Sequence, residues 1–235
     1  MPSNTQRLPA LQPAELAASR FCKGFPAEVI AAIAQAAARE RYTKDQVIIS
    51  RTAPGKDVFL LLAGAARVQV VTPGGRHVTY DIVEHGETVG ELAAIDGGSR
   101  SADVVAEGDV ETARFTQKAF LALMAQHPAF AFAIARRVAR TARWMSAQVQ
   151  LFQGYSVRGR ICVELLRLCG GRQGVALKIT DVDISTRVGA TRSHVNRIVN
   201  ELVGKGRLSR PEPGTIVVLD VGGLEATRMS SQLSE

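Results

Sequence analysis

Three groups of residues have types and spacings that can do chemistry. In the run Gly90-Glu-Leu-Ala-Ala-Ile-Asp-Gly-Gly-Ser-Arg-Ser-Ala102, a carboxylate at Glu91 and a guanidinium at Arg100 flank a glycine pair. A guanidinium holds an anion with two exposed oxygens through charge-assisted, often bidentate hydrogen bonds, so Arg100 is the anchor of a candidate anion site. The plainer alternative is a β-turn carrying a surface Glu–Arg pair. A second group, Arg192, Ser193, His194, Asn196 and Arg197, gathers polar and basic side chains at the start of a helical pattern. Arginine donates to two acceptors of guanine at once, which singles out Arg192 and Arg197 for base reading. The third group, Cys22, Cys162 and Cys169, has no CxxC and no histidine at zinc-ligand spacing, so no metal is expected. Cys162 and Cys169 share one face of a helical pattern and are read as packing residues.

These groups need elements to position them. From about Asp45 to Arg114 short apolar runs alternate with turn residues. Asp57-Val-Phe-Leu-Leu-Leu, the period-two stretch Ala66-Arg-Val-Gln-Val-Val and His77-Val-Thr-Tyr-Asp-Ile-Val predict strands, with Pro73-Gly74-Gly75 closing a hairpin. Regular short strands predict a small antiparallel barrel or roll that carries Glu91 and Arg100. Beyond His127-Pro128 no Gly or Pro occurs until Gly154, which predicts one long helix. Its seam, Ile134, Val138, Thr141, Met145, Gln148 and Phe152, steps as a coiled coil does and predicts a two-helix dimer interface; packing of the helix on its own β domain is the alternative. Arg136, Arg137, Arg140 and Arg143 fall mostly off the seam, on what reads as a solvated face.

A second domain follows Gly154. Thr180 begins a short helix ending before Gly189, and Thr191 caps a second, whose apolar face is Val195, Ile198, Val199 and Leu202. Two helices joined by a tight glycine turn are a helix-turn-helix candidate, with the polar group from Arg192 to Arg197 where a recognition helix meets base edges. The turn and β-branched strand after Gly206 read as a wing, with Lys205, Arg207 and Arg210 available to a nucleic-acid backbone or to solvent. The net charge of +7 suits an anionic partner, and from residue 155 onward 12 basic residues face 8 acidic ones. Hydrophobic residues at 46% and charged ones at 22% exclude extensive disorder and disulfide scaffolds. No apolar run suits a membrane span and the start lacks a leader pattern, so no membrane partner and a cytoplasmic location are expected.

Together these parts resemble the cyclic AMP receptor protein/FNR (CRP/FNR) superfamily of bacterial transcription regulators, over about residues 21–222. The resemblance implies an α+β chain: an N-terminal cyclic-nucleotide-binding β-roll at 21–126, a long dimerisation helix at 127–154 and a C-terminal winged helix-turn-helix at 155–222. An N-terminal extension, 1–20, and a C-terminal tail, 223–235, lie outside it. The run from Gly90 to Ala102 is similar to the phosphate-binding cassette of cyclic-nucleotide domains. By that resemblance Glu91 accepts the ribose 2′-hydroxyl, Arg100 pairs with the cyclic phosphate, and Ser101 with backbone amides near Gly90 and Glu91 completes the cradle. Leu92, Ala93, Ala94 and Ile95 would form the apolar wall beneath the ligand.

Aligned with the family, Ser146 occupies the serine position that reaches adenine from the partner subunit, and Met145 replaces the neighbouring threonine. The implied effector is a cyclic nucleotide, cAMP or cGMP, with cAMP first. Arg192 and Arg197 match the family's two recognition arginines, whereas Ser193 stands in place of its glutamate, so the half-site should differ from TGTGA. The resemblance implies a homodimer on a near-palindromic double-stranded DNA site, with RNA polymerase as a further candidate partner. A constitutive regulator with a vestigial or differently liganded β-roll is the alternative. No nucleophile–base pairing accompanies Glu84, Glu87 and Glu91, so an enzyme is not expected.

Overall fold

The computed structural model describes residues 6–71, 75 and 77–232, with the backbone alone at 6, 7, 77 and 80. Pro73 and Gly74 of the expected hairpin turn lie outside the described residues. The chain divides into two compact units, one ending at Ala142 and the other beginning at Arg143.

The first unit runs β1 (Gln6–Arg7), α1 (Pro13–Ala17), α2 (Ala27–Ala36), β2 (Ala38–Tyr42), β3 (Val47–Ile49), β4 (Val58–Ala63), β5 (Ala65–Val71), β6 (His77–Glu84), β7 (Thr88–Val89), α3 (Glu91–Asp96), β8 (Asp103–Ala106), β9 (Val110–Phe115), α4 (Gln117–Gln126) and α5 (Pro128–Gly154), whose last turns belong to the second unit. The strands form two antiparallel sheets, ordered β1-β2-β9-β4-β7 and β3-β8-β5-β6. Alternation along β4 explains the layering. Val58 and Leu60 point to a core shared with Phe115, Phe120, Phe130 and Ile134, while Phe59 and Leu61 point to a core between the sheets with Val68, Val83 and Val104. In β5 a register shift between Val68 and Gln69 interrupts the period, which is why Gln69 is buried. The tight β4–β5 turn needs a glycine: Gly64 has φ +79°, and a Cβ there would lie 2.3 Å from the Asp109 carbonyl oxygen.

The described residues of the segment set aside above as an extension, from Gln6 on, take part in this unit. β1 pairs with β2 across Gln6–Arg41 and Arg7–Glu40, and Leu11 and Leu16 are buried in the core. Their short, isolated apolar positions carry no period long enough to be read as an element.

The second unit contains α6 (Val157–Cys169), β10 (Ala176–Lys178), α7 (Asp181–Val188), α8 (Arg192–Gly204), β11 (Leu208–Ser209), β12 (Thr215–Val218) and α9 (Val221–Met229). Its antiparallel sheet is ordered β10-β12-β11. Thr180 and Asp183 close a capping box at α7, Gly189 ends that helix at φ +62°, and Thr191 caps α8 by accepting from the His194 N–H at 3.3 Å. Ile161, Leu165, Ile184, Val195, Val199 and Leu202 form its core, which Leu224 of α9 joins. The residues from 223 read as a tail therefore include a structural helix; the glycine pair at its start and its single core leucine hid the pattern. Cys162 and Cys169 are buried in this core and Cys22 in the other, all free thiols, and burial raises the Cys22 and Cys162 thiols to about 11.

Candidate functional site

The cassette is built on a strand-to-helix turn. β7 ends at Val89, Gly90 takes φ +87°, and the six-residue α3 begins at Glu91. Only glycine fits at 90, because a Cβ would lie 2.6 Å from Arg100 Nη1 and 2.8 Å from the Asp57 carbonyl oxygen. That close approach lets the Arg100 guanidinium donate to the Gly90 carbonyl at 3.0 Å and to the Asp57 carbonyl at 2.7 Å. Two of its five N–H groups are committed in this way and three remain for an anion. Arg100 is buried, and burial lowers its pKa against the Asp57 and Glu91 charges.

Glu91 is 5% exposed, and its Oε2 has no hydrogen-bond partner among the described residues. Burial raises its pKa, opposed by its own backbone N–H and by the charges of Arg137 and Arg100. A buried carboxylate with an orphaned oxygen is costly, and a hydroxyl donor would relieve it. Ser101 is exposed directly after Arg100. The expected wall divides: Ala93 and Ala94 are buried, Leu92 is half-buried, and Ile95 is 45% exposed and lies outside any wall. A six-residue helix has one buried face, and Ile95 is on the other.

Beside Arg100 a cavity of about 330 Å³ is lined in part by Glu40, Tyr42, Ile49, Asp57, Phe59 and Arg114. Arg114 bridges Glu40 at 3.0 Å and Asp57 at 2.6 Å. Sequence reading missed this network and also Arg137, assigned above to a solvated face. Its side chain is 13% exposed and reaches the Thr88 carbonyl at 3.4 Å and the Asp81 and Glu87 carboxylates at 3.6 Å each. Burial raises the Asp81 pKa against the Arg137 charge. The signal was the position of Arg137 three residues after Ile134, which turns it toward the strands that Ile134 packs on.

The residues of the expected dimer seam fall in different surroundings. Ile134 is fully buried and Val138 partly buried in the first unit's own core, and Thr141 Oγ1 is enclosed without a partner among the described residues. Phe152 lies in the second unit with the Arg160 guanidinium 4.4 Å above its ring. Gln148 is half-buried, and Met145 and Ser146 are exposed. The large apolar side chains that α5 leaves exposed are Phe132, Met145, Val149 and Phe152. A heptad period does not tell an intramolecular partner from a second chain, and here the first turns of the helix are used inside the unit.

On α8, Arg192 and Ser193 are exposed, and Arg197 is 65% exposed with only the Glu201 carboxylate, 3.7 Å away, near it. His194 is half-buried. Asn196 is held: its amide donates to Asp181 at 2.7 Å and its oxygen accepts from Asn200 at 3.1 Å. Arg210 engages the same Asp181 at 2.5 Å. Asn196 and Arg210 thus tie α8 and the residue after β11 to Asp181 at the start of α7. Among the described residues no cluster of His, Cys, Asp or Glu could hold a metal ion, and no single helix is long and apolar enough to cross a membrane.

The profile of the cyclic nucleotide-binding domain matches residues 39–127, and that of the Crp-like helix-turn-helix domain matches residues 159–227. The chain belongs to the CRP/FNR superfamily. Its two domains make it a DNA-binding transcription regulator with a cyclic nucleotide-binding domain. The chain is 28% identical to the cyclic AMP receptor protein of Thermus thermophilus over 80% of its own length and 86% of the relative's. It is 23% identical to the CRP-like cAMP-activated global transcriptional regulator of Mycobacterium tuberculosis, over 87% and 94%. The structure of the c-di-GMP-responsive global regulator CLP of Xanthomonas campestris has the same fold at 18% identity, with a TM-score of 0.72 over 83% of this chain and 99% of that one. As in other CRP/FNR proteins, the β-roll is followed by a long helix and a helix-turn-helix domain.

Proposed function

We propose that the chain acts as a homodimer whose DNA binding is controlled by a cyclic mononucleotide, cyclic AMP before cyclic GMP. The observation that carries this reading is the orphaned, buried carboxylate oxygen of Glu91 within electrostatic reach of Arg100. Glu91 would accept the ribose 2′-hydroxyl. The three uncommitted N–H groups of Arg100 would hold the phosphate, with Ser101 as a further donor. Two relatives named for cyclic AMP support an adenine base, whereas Met145 in place of a threonine argues against adenine selectivity and Ser101 suits a guanine amino group. Met145 and Ser146 would meet the base from the partner subunit.

Arg192, Ser193, His194 and Arg197 would read the major groove, and the dimer would span a near-palindrome with half-sites roughly 34 Å apart. The nucleotide favours the DNA-competent state only by its difference in affinity between the two states. A DNA partner implies the cytoplasm, and RNA polymerase is a candidate contact on the promoter. One observation favours the constitutive alternative: the Arg100 guanidinium already has two carbonyl partners within the chain.

Fluorescence anisotropy on a duplex selected from a random palindromic pool distinguishes these readings. The proposal expects cyclic AMP or cyclic GMP to tighten wild-type binding at least tenfold and to leave Arg100→Leu unaffected. Equal affinity with and without either nucleotide would establish the constitutive reading.

A further inference from the structure

The second unit holds a cavity of about 700 Å³ that none of the readings above uses. It is bounded by the start of α6 (Ser156 and Arg158), by the turn after α8 (Lys205 and Arg207), by Ala226 and Thr227 of α9, and by Ser230, Ser231 and Gln232 beyond it. Three of its lining residues are cations and none is an acid. Glu201, which stands beside it, pairs with Arg158 and neutralises that charge. The Lys205 charge also acts on Glu201, but among the described residues neither Lys205 nor Arg207 makes a side-chain hydrogen bond or an ion pair within 4 Å, so three cations share one carboxylate. The remaining surface is hydroxyl-rich: Ser156, Thr227, Ser230 and Ser231 line it, and Thr227 and Ser231 are buried. Gln232 adds an amide, and no aromatic ring is among the lining residues.

From sequence, Lys205 and Arg207 were available to a nucleic-acid backbone or to solvent. The structure puts them at the C-terminal end of α8, a 13-residue helix about 20 Å long at 1.5 Å per residue, whose first turns carry Arg192 and Ser193. The cavity is therefore at the opposite end of the recognition helix from the base-reading residues. Its volume is that of a small-molecule site, although it opens to solvent on one side.

We infer that this cavity binds a small phosphate monoester with a polyhydroxylated body, of the sugar-phosphate class. Two unpaired cations match the charge of a phosphate monoester, about −1.5 to −2 at neutral pH, better than the single charge of a cyclic diester. Lys205 and Arg207 take the phosphate oxygens, and Ser156, Ser230, Ser231 and Gln232 meet the hydroxyls. The absence of an aromatic platform among the lining residues disfavours a nucleobase, which ordinarily stacks on one. The site shares no residue with the β-roll cassette, so it stands or falls independently of the cyclic-nucleotide reading.

Calorimetric titration of the full-length protein with glucose 6-phosphate, glucose, inorganic phosphate and AMP tests this, with the Lys205→Gln/Arg207→Gln double variant as control. The expected result is saturable binding of glucose 6-phosphate, at least tenfold tighter than inorganic phosphate or AMP, no binding of glucose, and at least a tenfold loss in the variant. A parallel titration with cyclic AMP and an unfolding scan establish that the variant is folded. Arg158→Lys, which keeps the charge facing Glu201, provides a milder second variant with an expected loss below tenfold. No saturable binding of any phosphate, or equal binding by the double variant, overturns the inference. Loss of operator affinity in the double variant without glucose 6-phosphate binding to the wild type also overturns it, and assigns Lys205 and Arg207 to the DNA backbone.

Discussion

The two arginine sites of this chain are built in opposite ways. In the β-roll, Arg100 and Glu91 are 7% and 5% exposed, and the guanidinium is pinned by two main-chain carbonyls before any ligand arrives. On the recognition helix, Arg192 and Arg197 extend into solvent. The buried pair has already met its desolvation and ordering cost during folding, which suits a small ligand with few contacts. The exposed pair keeps its hydration and rotamer freedom until a polyanion arrives, and it can rely on a long-range, salt-sensitive attraction. Burial gives selectivity for a compact anion; exposure gives adaptability to a surface.

The largest break in this contrast is Arg100→Leu. Losing at least two charge-assisted hydrogen bonds, each about 1.5 kcal/mol, should weaken nucleotide binding by about a hundredfold or more. The same substitution leaves the Gly90 and Asp57 carbonyls without their donor, so a lower unfolding temperature is expected in a thermal scan. Arg192→Ala and Arg197→Ala should each cost about 1–3 kcal/mol on the selected duplex and relax preference at one base position, with little change in stability. Competition with mismatched duplexes at fixed salt reads that loss.

Glu91→Gln sharpens the comparison because it separates binding from stability. The folded-state pKa of Glu91 is raised, so the native state binds its proton more tightly than the unfolded chain does. Stability is therefore lost as pH rises from the ordinary carboxylate value through the folded pKa, and at neutral pH the ionised group is destabilising. A neutral amide in its place would remove this cost: a gain of about 1 kcal/mol would raise the ligand-free Tm by about 2–4 °C in a chain of this size. The gain should vanish at pH values below the ordinary carboxylate range, while nucleotide affinity falls. A Tm that is lower at neutral pH would show that Glu91 is satisfied in the free protein. The smallest effect is that of Arg137→Gln. Its contacts with Asp81 and Glu87 are long, at 3.6 Å each, but removing its charge should move the Glu91 titration upward, as followed by carboxyl NMR.

Much of this architecture was legible because local patterns and tertiary roles agree. The apolar run from Val58, the period-two stretch from Ala66 and the run from His77 became β4, β5 and β6, the stretch free of Gly and Pro became α5, and Thr191 and Gly189 delimit the helices where capping chemistry requires it. Glu91 and Arg100 were legible as a pair because a guanidinium suits an anion and the run from Gly90 to Ala102 resembles a phosphate-binding cassette; that glycine at 90 admits the guanidinium is visible only in the structure. What was not legible depends on partners distant in sequence. Arg137 and Asn196 look like surface residues until Asp81 and Asp181 are brought beside them. The seam of α5 reads as one interface, yet Ile134 and Phe152 belong to different units. Leu11, Leu16 and Leu224 are core residues in segments too short or too glycine-rich to show a period.

The central claim is that the Glu91–Arg100 cassette is a cyclic-nucleotide site. Calorimetric titration of nucleotide-free protein with cyclic AMP and with cyclic GMP, repeated on Arg100→Leu, tests it most directly. Saturable heat is expected with at least one of the two, tighter for cyclic AMP, and is expected to disappear in the variant. No heat with either nucleotide at more than one temperature, or an unchanged isotherm in Arg100→Leu, would contradict it.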